Sequence, residues 1–442
     1  MNALHSLISF IIVTGVMLTI VKTNLFGPVS TISSTLILGF MLLASYCIGN
    51  FMKYIRLPQI IGYIISGLVF GPYFLELIDK TALTDLSFIN SLALAFIAFC
   101  AGSELRISNI FNNLKSIYML VISQTIVVFT GVSIIVFFLI DLIKVFPDID
   151  LAARIAVSMM IGIISVARSP SSTIAIINET KAKGQYTNIV LSVTIVIDVV
   201  IIVLFGIVIS VCQVLISTKG PVNWLFFLAL LFEIIIALVL GFLLGKIIVF
   251  LIEYLKVEFP IVVICTGFMV IQFNHLLGNY LKETHNLAVN FEPLLICMSA
   301  GFMVQNYSNH GKIFLMKMDK ASLLIYIAFF TMIGASINIE VMKNSWMIGL
   351  AIVLVRFLML YFASFLSGKL AGDKPEIYNR YWLGFITQAG VSLGLLTEIA
   401  RRFPEIGVPI QSILIAAITV NQFIGPVALK YALQKSGESQ SQ

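Results

Sequence analysis

Asp198 lies in the stretch TNIVLSVTIVIDVVIIVLFGIVIS, flanked on both sides by Val, Ile, Leu and Phe and relieved mainly by Ser192 and Thr194. Thr194 is four positions back, so on a helix its hydroxyl stands on the same face as the carboxyl. Burial favours the neutral acid, whereas a bound cation or a nearby arginine favours the carboxylate. A carboxyl held between those effects can trade a proton for a metal ion. The competing reading is a structural Asp–Arg pair with no transport role. Two arginines, Arg168 and Arg356, also remain at membrane depth. Glu104 lies near the end of an apolar stretch. Glu233, in NWLFFLALLFEIIIALVLG, suits a protonated structural acid or a lipid- or dimer-facing one as well as a functional one.

Two stretches around these charges break the helical pattern. In AVSMMIGIISVARSPSSTIAIINET, Ser169 and Pro170 interrupt an otherwise continuous apolar run, because proline lacks a backbone donor and disfavours helix in the residue before it. In YWLGFITQAGVSLGLLTEIA, the polar segment from Thr387 through Gln388 to Gly390 forms the middle. Half-helix ends carry opposite partial charges, so two crossed broken helices make a polar centre inside an apolar slab. Ser171 and Ser172 follow the first break and offer oxygens suited to a hard cation.

The elements that must carry these residues follow from composition. Of 442 residues, 60% are hydrophobic and only 11% charged, with a mean hydropathy of +1.06. Soluble domains carry roughly a quarter charged residues. The chain therefore reads as an all-α polytopic membrane protein. With about 20 apolar residues per crossing, about fourteen transmembrane helices are expected, near 4–21, 32–52, 59–77, 86–103, 116–140, 152–178, 187–214, 222–252, 259–274, 288–304, 321–338, 345–368, 379–400 and 407–433. Residues 1–31 form an extra first helix and loop, 32–433 the membrane domain and 434–442 a short cytoplasmic tail. The span order suggests two inverted five-helix repeats, 59–214 and 288–433, joined by linker helices at 222–274.

Positive charge tests this topology. Of the 27 lysines and arginines, sixteen, Lys430 among them, fall on the N-terminal side and nine on the other, with Arg168 and Arg356 at membrane depth. The bias puts both termini in the cytoplasm of a cell-membrane protein. The net charge of +6 then needs no nucleic-acid partner, since basic loops facing anionic lipid account for it. Five cysteines lie in apolar segments without CxxC spacing and read as free thiols. Four histidines fall at segment ends or in loops, so no ligand set for a bound metal centre or cofactor is visible. No Ser–His, HExxH or paired-aspartate constellation lies at membrane depth, which disfavours an intramembrane hydrolase.

Three stretches carry a family resemblance. IRLPQIIGYIISGLVFGP (55–72) looks like the opening helix of the cation/proton antiporter superfamily, on the branch with potassium-efflux and NhaA-like exchangers. LALAFIAFCAGSELR (92–106) is similar to its next helix, which ends in a Gly-x-Glu pattern. SPSSTIAIINETKAKGQYTNIVLSVTIVIDVVIIVLF (169–205) resembles the broken helix plus the ion-binding helix, and puts the family's binding aspartate on Asp198. The resemblance implies an NhaA-like fold with two broken crossing helices and a core bundle at 116–140, 152–178, 187–214, 345–368, 379–400 and 407–433. It also implies a homodimer, and an arginine at Arg356 that pairs with Asp198 when the site is empty. Two departures stand out: Ile197 precedes the aspartate where relatives carry a polar residue, and Gln388 and Gly390 stand where many carry Arg and Glu. A lone carboxylate points to electroneutral one-for-one exchange.

The expectation is thus a non-enzymatic secondary transporter exchanging Na⁺ or K⁺ for H⁺ across the bilayer by alternating access. Asp198 would bind the cation or proton, aided by Ser171, Ser172, Thr194 and carbonyls at the two breaks. Arg168 is expected at the cytoplasmic or central mouth of the site, with Asn178, Glu179 or a phosphate headgroup as partner. The alternatives are an anion or organic-acid carrier using Arg168 and Arg356, a proton-uncoupled potassium efflux pathway, and a non-transporting sensor or assembly subunit.

Overall fold

Long apolar runs can satisfy their backbone in hydrocarbon only by bonding within themselves or within a closed barrel, and this chain takes the first course. The computed structural model describes residues 3–23, 34–140, 150–216, 224–255, 258–285, 293–337, 339–388 and 390–439. The chain opens with α1 (Ala3–Thr23), α2 (Ser34–Tyr54), α3 (Gln59–Phe70), the short α4 (Lys80–Asp85) and α5 (Ser87–Glu104). Next come α6 (Ile107–Asn112), α7 (Leu114–Leu139), α8 (Leu151–Val166), α9 (Pro170–Thr180) and α10 (Gln185–Ile216). Then follow α11 (Trp224–Leu255), α12 (Phe259–His285), α13 (Pro293–Tyr307) and α14 (Gly311–Ala335). The last are α15 (Ile339–Ala371), α16 (Pro375–Tyr378), α17 (Tyr381–Gly384), α18 (Gly390–Arg402) and α19 (Pro404–Lys435).

Every expected span contains a helix, with 152–178 and 379–400 each formed by two. Several differ in length: the span expected over 59–77 ends at Phe70, because Gly71 turns extended ahead of Pro72, while those over 259–274 and 321–338 belong to the longer α12 and α14. Among the described residues, eight helical segments are long and apolar enough to cross a membrane, and shorter apolar helices accompany them.

Two compact units result, each drawn from both halves of the sequence. The first comprises Met1–Arg106 with Glu233–Ile339, the second Ile107–Phe232 with Glu340–Gln442. In the first, α3 packs on α14 and α5 on α13, with α2 against α3. Both principal crossings are closed by reciprocal glycines. A Cβ on Gly67 would overlap the carbonyl of Thr331, and one on Gly334 would overlap that of Ile64. In the other pair, a Cβ on Gly102 would overlap the carbonyl of Met298, and one on Gly301 that of Phe99. In each case the glycine faces the residue three positions before the opposing glycine, which brings backbone to backbone as small residues allow in membrane helix packing. A buried hydroxyl chain ties α2, α3 and α14: Thr331 Oγ1 donates to Ser45 Oγ at 2.7 Å, and Ser45 Oγ to Ser66 Oγ at 2.8 Å.

The second unit gathers the helices implied for the core bundle. Here α7 and α10 pack on α8, α19 on α9 and α18, and α10 reaches α17 and α18. Gln124 on α7 donates to Ser364 Oγ on α15 at 3.0 Å. Asp373, after α15, accepts from Ser116 Oγ at 2.7 Å and from the Tyr381 hydroxyl at 2.9 Å. The C-terminal segment folds back on the helix bearing Asp198. Glu438 Oε1 accepts from the Tyr186 amide, and Oε2 from both the amide and the hydroxyl of Thr187, at 2.7–2.8 Å. The carboxylate thereby satisfies amides that a helix start leaves open. Lys430, counted among the charges of the N-terminal side, is buried and pairs with Glu179 at 3.0 Å. Cys265 lies exposed on α12, while the other four cysteines are buried; all five are free thiols.

Candidate functional site

Both interrupted helices, on which candidate site residues are expected, lie in the second unit. α8 stops at Val166, and Ala167 leaves helical geometry at φ −59°, ψ 149°. Ser169 is extended at φ −120°, ψ 97° and caps α9, whose first residue is Pro170. The Ser169 hydroxyl accepts from the Ser172 amide at 3.2 Å and lies 2.9–3.0 Å from the Ser171 and Ser172 hydroxyls. Thus Ser171 and Ser172, expected to serve a cation, form a buried hydroxyl cluster at the α9 start. α17 ends at Gly384, residues 386–388 are non-helical, and helix resumes with Gly390. The second break lies close under α19, where a Cβ on Gly425 would come within 2.8 Å of the Thr387 backbone.

A helix end leaves its last carbonyls without partners, and these carry partial negative charge. Arg356, reaching from α15, meets that need at both breaks. Its Nε donates to Ser165 O at 2.8 Å and Nη2 to Ala167 O at 3.2 Å; Nη1 donates to Ile386 O at 2.8 Å and Nη2 to Phe385 O at 3.1 Å. Arg356, the expected charge partner of Asp198, is thus bonded to backbone carbonyls at both breaks. The guanidinium is only 1% exposed and all three of its nitrogens are committed to carbonyls. Gln388 completes the joint: its Nε2 donates to Ile164 O at 2.9 Å while its Oε1 accepts from Asn421 Nδ2 at 2.6 Å. Asn421 is a site residue that sequence reasoning passed over. Its signal was the Asn421–Gln422 polar pair inside the apolar run of α19.

Arg168 lies between the breaks. It is 1% exposed, and its guanidinium carbon stands 4.3 Å from the ring centre of Phe385. None of its three side-chain nitrogens has a hydrogen-bond partner among the described residues. The charges of Arg356 and Asp198 both act on it. Glu179, one of the partners suggested for it, pairs with Lys430. Asp198 is half-buried on α10, and Thr194, one turn earlier, is buried with its hydroxyl donating to Val190 O at 2.7 Å. That bond uses the Thr194 proton and leaves oxygen lone pairs for an acceptor role. Thr387 is buried with its hydroxyl oxygen unpartnered among the described residues. Glu104, the last residue of α5, and the half-buried Glu233 on α11 belong to the first unit.

This arrangement has polar backbone from two breaks, a half-buried acid and two buried guanidiniums, set in helices of membrane composition. A family model described as "Sodium/hydrogen exchanger, transmembrane" matches residues 38–435, leaving α1 outside the match. Among curated protein sequences none matches. Two structures of the sodium proton antiporter MjNhaP1 from Methanocaldococcus jannaschii share the fold at 19% sequence identity. One, determined at pH 8, has a TM-score of 0.64 and covers 91% of this chain and 96% of its own. The other, from an electron-microscopy map, has a TM-score of 0.69 and covers 90% and 94%. The chain belongs to the sodium/hydrogen exchanger family, whose members are multi-pass membrane cation/proton antiporters and not enzymes.

Proposed function

We propose that this protein exchanges Na⁺ for H⁺ one for one, with Asp198 as the carboxyl that takes either ion. K⁺ is the alternative cation, since both ions use the same oxygen ligands. The observation that carries the reading is the division of labour between charges. Arg356 is bound to four carbonyls of the two breaks, while Asp198 on α10 is half-buried and its charge acts on Arg168. Thr194, Thr387 and the serines after the first break supply further oxygens. Ile197 beside Asp198 adds no second acid, which favours electroneutral exchange. The paired glycine crossings, α3 with α14 and α13 with α5, support an inverted-repeat architecture; fourteen spans and cytoplasmic termini are part of the same proposal. A homodimer belongs to the same proposal.

A second reading, an anion carrier, has one observation in its favour: two buried arginines accompany a single interacting carboxylate. Proteoliposomes carrying an imposed pH gradient separate the two. Wild type is expected to dissipate the gradient on addition of Na⁺ or K⁺ but not choline, equally with chloride or gluconate as the anion, and Asp198→Asn is expected to be silent. Exchange that persists in folded Asp198→Asn, or that follows the anion, overturns the proposal. Unchanged rates under a clamped membrane potential support one-for-one stoichiometry.

A further inference from the structure

The helix that bears Asp198 starts without a side-chain cap of its own. Gly184 stands at the N-cap of α10, its carbonyl accepting from the Asn188 amide at 3.1 Å. Serine, threonine, aspartate or asparagine at that position would serve the next amides through a side-chain oxygen. Here the amides of Tyr186 and Thr187 and the Thr187 hydroxyl donate to the Glu438 carboxylate instead, at 2.7–2.8 Å. The Lys183 amide donates to the Glu438 carbonyl at 3.0 Å. The φ of Gly184 lies outside the left-handed region, so glycine is required there for space: a Cβ would overlap the Glu438 carboxyl carbon. Glu438 is delivered by the turn that ends α19. Gly437, at φ 74°, donates to Gln434 O at 3.1 Å and the Glu438 amide donates to Leu433 O at 3.2 Å, the paired bonds of a glycine-reversed helix end.

The same end of the unit holds both interrupted helices. Lys430, earlier on α19, pairs with Glu179 in the last turn of α9, the second half of the first interrupted helix. The Tyr186 ring stacks on that of Tyr381, centres 5.9 Å apart and planes at 14°, and its hydroxyl donates to Arg380 O at 3.0 Å. Tyr381 opens α17, the first half of the second interrupted helix. We propose that Glu438 is a positioning residue for exchange: an inserted cap that, with Lys430, fastens the ends of α9, α10 and α17 remote from the breaks, so that Asp198 and both breaks shift as one piece. The inference rests on the reading of Asp198 as the exchanging carboxyl. A cap needed by α10 alone calls only for a polar side chain at residue 184; the inserted carboxylate adds a tie to α19.

The test combines Na⁺-driven proton exchange in proteoliposomes with hydrogen exchange of the α10 amides. Asp198 lies twelve residues beyond Tyr186, about 18 Å along a helix, so the ion site itself is untouched by changes at the cap. Glu438→Ala should therefore lower the maximal exchange rate several-fold while the apparent KM for Na⁺ and the pH profile stay near wild type. Gly184→Ala, which expels the carboxylate without removing it, should do the same. Adding Gly184→Ser to Glu438→Ala gives the Tyr186 and Thr187 amides a local acceptor in the vacated space; their protection should return and the exchange rate should not. Recovery of the rate together with protection overturns the inference, because it reduces Glu438 to an ordinary cap. A wild-type rate in either single variant also overturns it, as does a loss that appears in KM or the pH profile. If the serine does not restore protection, the two single variants still decide. Exchange that survives in folded Asp198→Asn breaks the underlying reading instead, so the two failures are distinguishable.

Discussion

Arg356 Nε donates to the carbonyl of Ser165 at 2.8 Å, across 191 residues of sequence. With its bonds to Ala167, Phe385 and Ile386, this makes one side chain the joint between two helix breaks. A charged donor serving several buried carbonyls contributes more than its neutral counterpart.

Replacing Arg356 should therefore act first on stability. Arg356→Gln leaves buried carbonyls without donors, each costing about 1–3 kcal/mol. Purified protein should show a clearly lower Tm in detergent, and Arg356→Lys, whose ammonium cannot span both breaks, should recover only part of the loss. A Tm equal to wild type in the Gln variant would contradict the joint.

The buried Glu179–Lys430 pair, 3.0 Å apart, should behave asymmetrically. Removing one partner leaves an uncompensated buried charge, worth about 3–5 kcal/mol. Glu179→Gln or Lys430→Met alone should lower Tm strongly, and the double variant should regain most of it. Additive losses in the double-mutant cycle would show that the two groups act separately.

At the α5–α13 crossing, Gly102→Ala should destabilise the first unit by about 1–3 kcal/mol, because the new methyl meets the Met298 carbonyl. Gly39, on α2, has open space where a Cβ would go, so Gly39→Ala should leave Tm unchanged or slightly raised. Equal effects of the two substitutions would remove the close-approach argument.

Glu438 caps α10 through two amides and a hydroxyl. Glu438→Ala should cost about 0.5–2 kcal/mol, as loss of a helix cap does. Hydrogen exchange is the direct readout: the amides of Tyr186 and Thr187 should lose protection while those beside Asp198 keep it.

Much of this molecule is legible along the chain, for local reasons. Apolar runs of membrane length have to be helices, Ser169–Pro170 has to interrupt one, and Asp198 stands out because hydrocarbon makes an isolated acid costly. The second break is also readable, from polar residues and glycine where an apolar helix has no need of them. The pairing of charges is not readable in this way. Arg168 and Arg356 are both lone arginines at membrane depth in sequence, yet Arg356 serves four carbonyls and Arg168 lies over an aromatic ring. Which does which depends on where α15 and Phe385 pass the open helix ends. Asn421, Glu438 and Lys430 were equally hidden, since their partners are 33 to 252 residues away. Hydropathy and backbone propensity act over a few residues and so are written in sequence. Hydrogen bonds and ion pairs act over a few ångströms, and only the packed bundle brings those residues within reach.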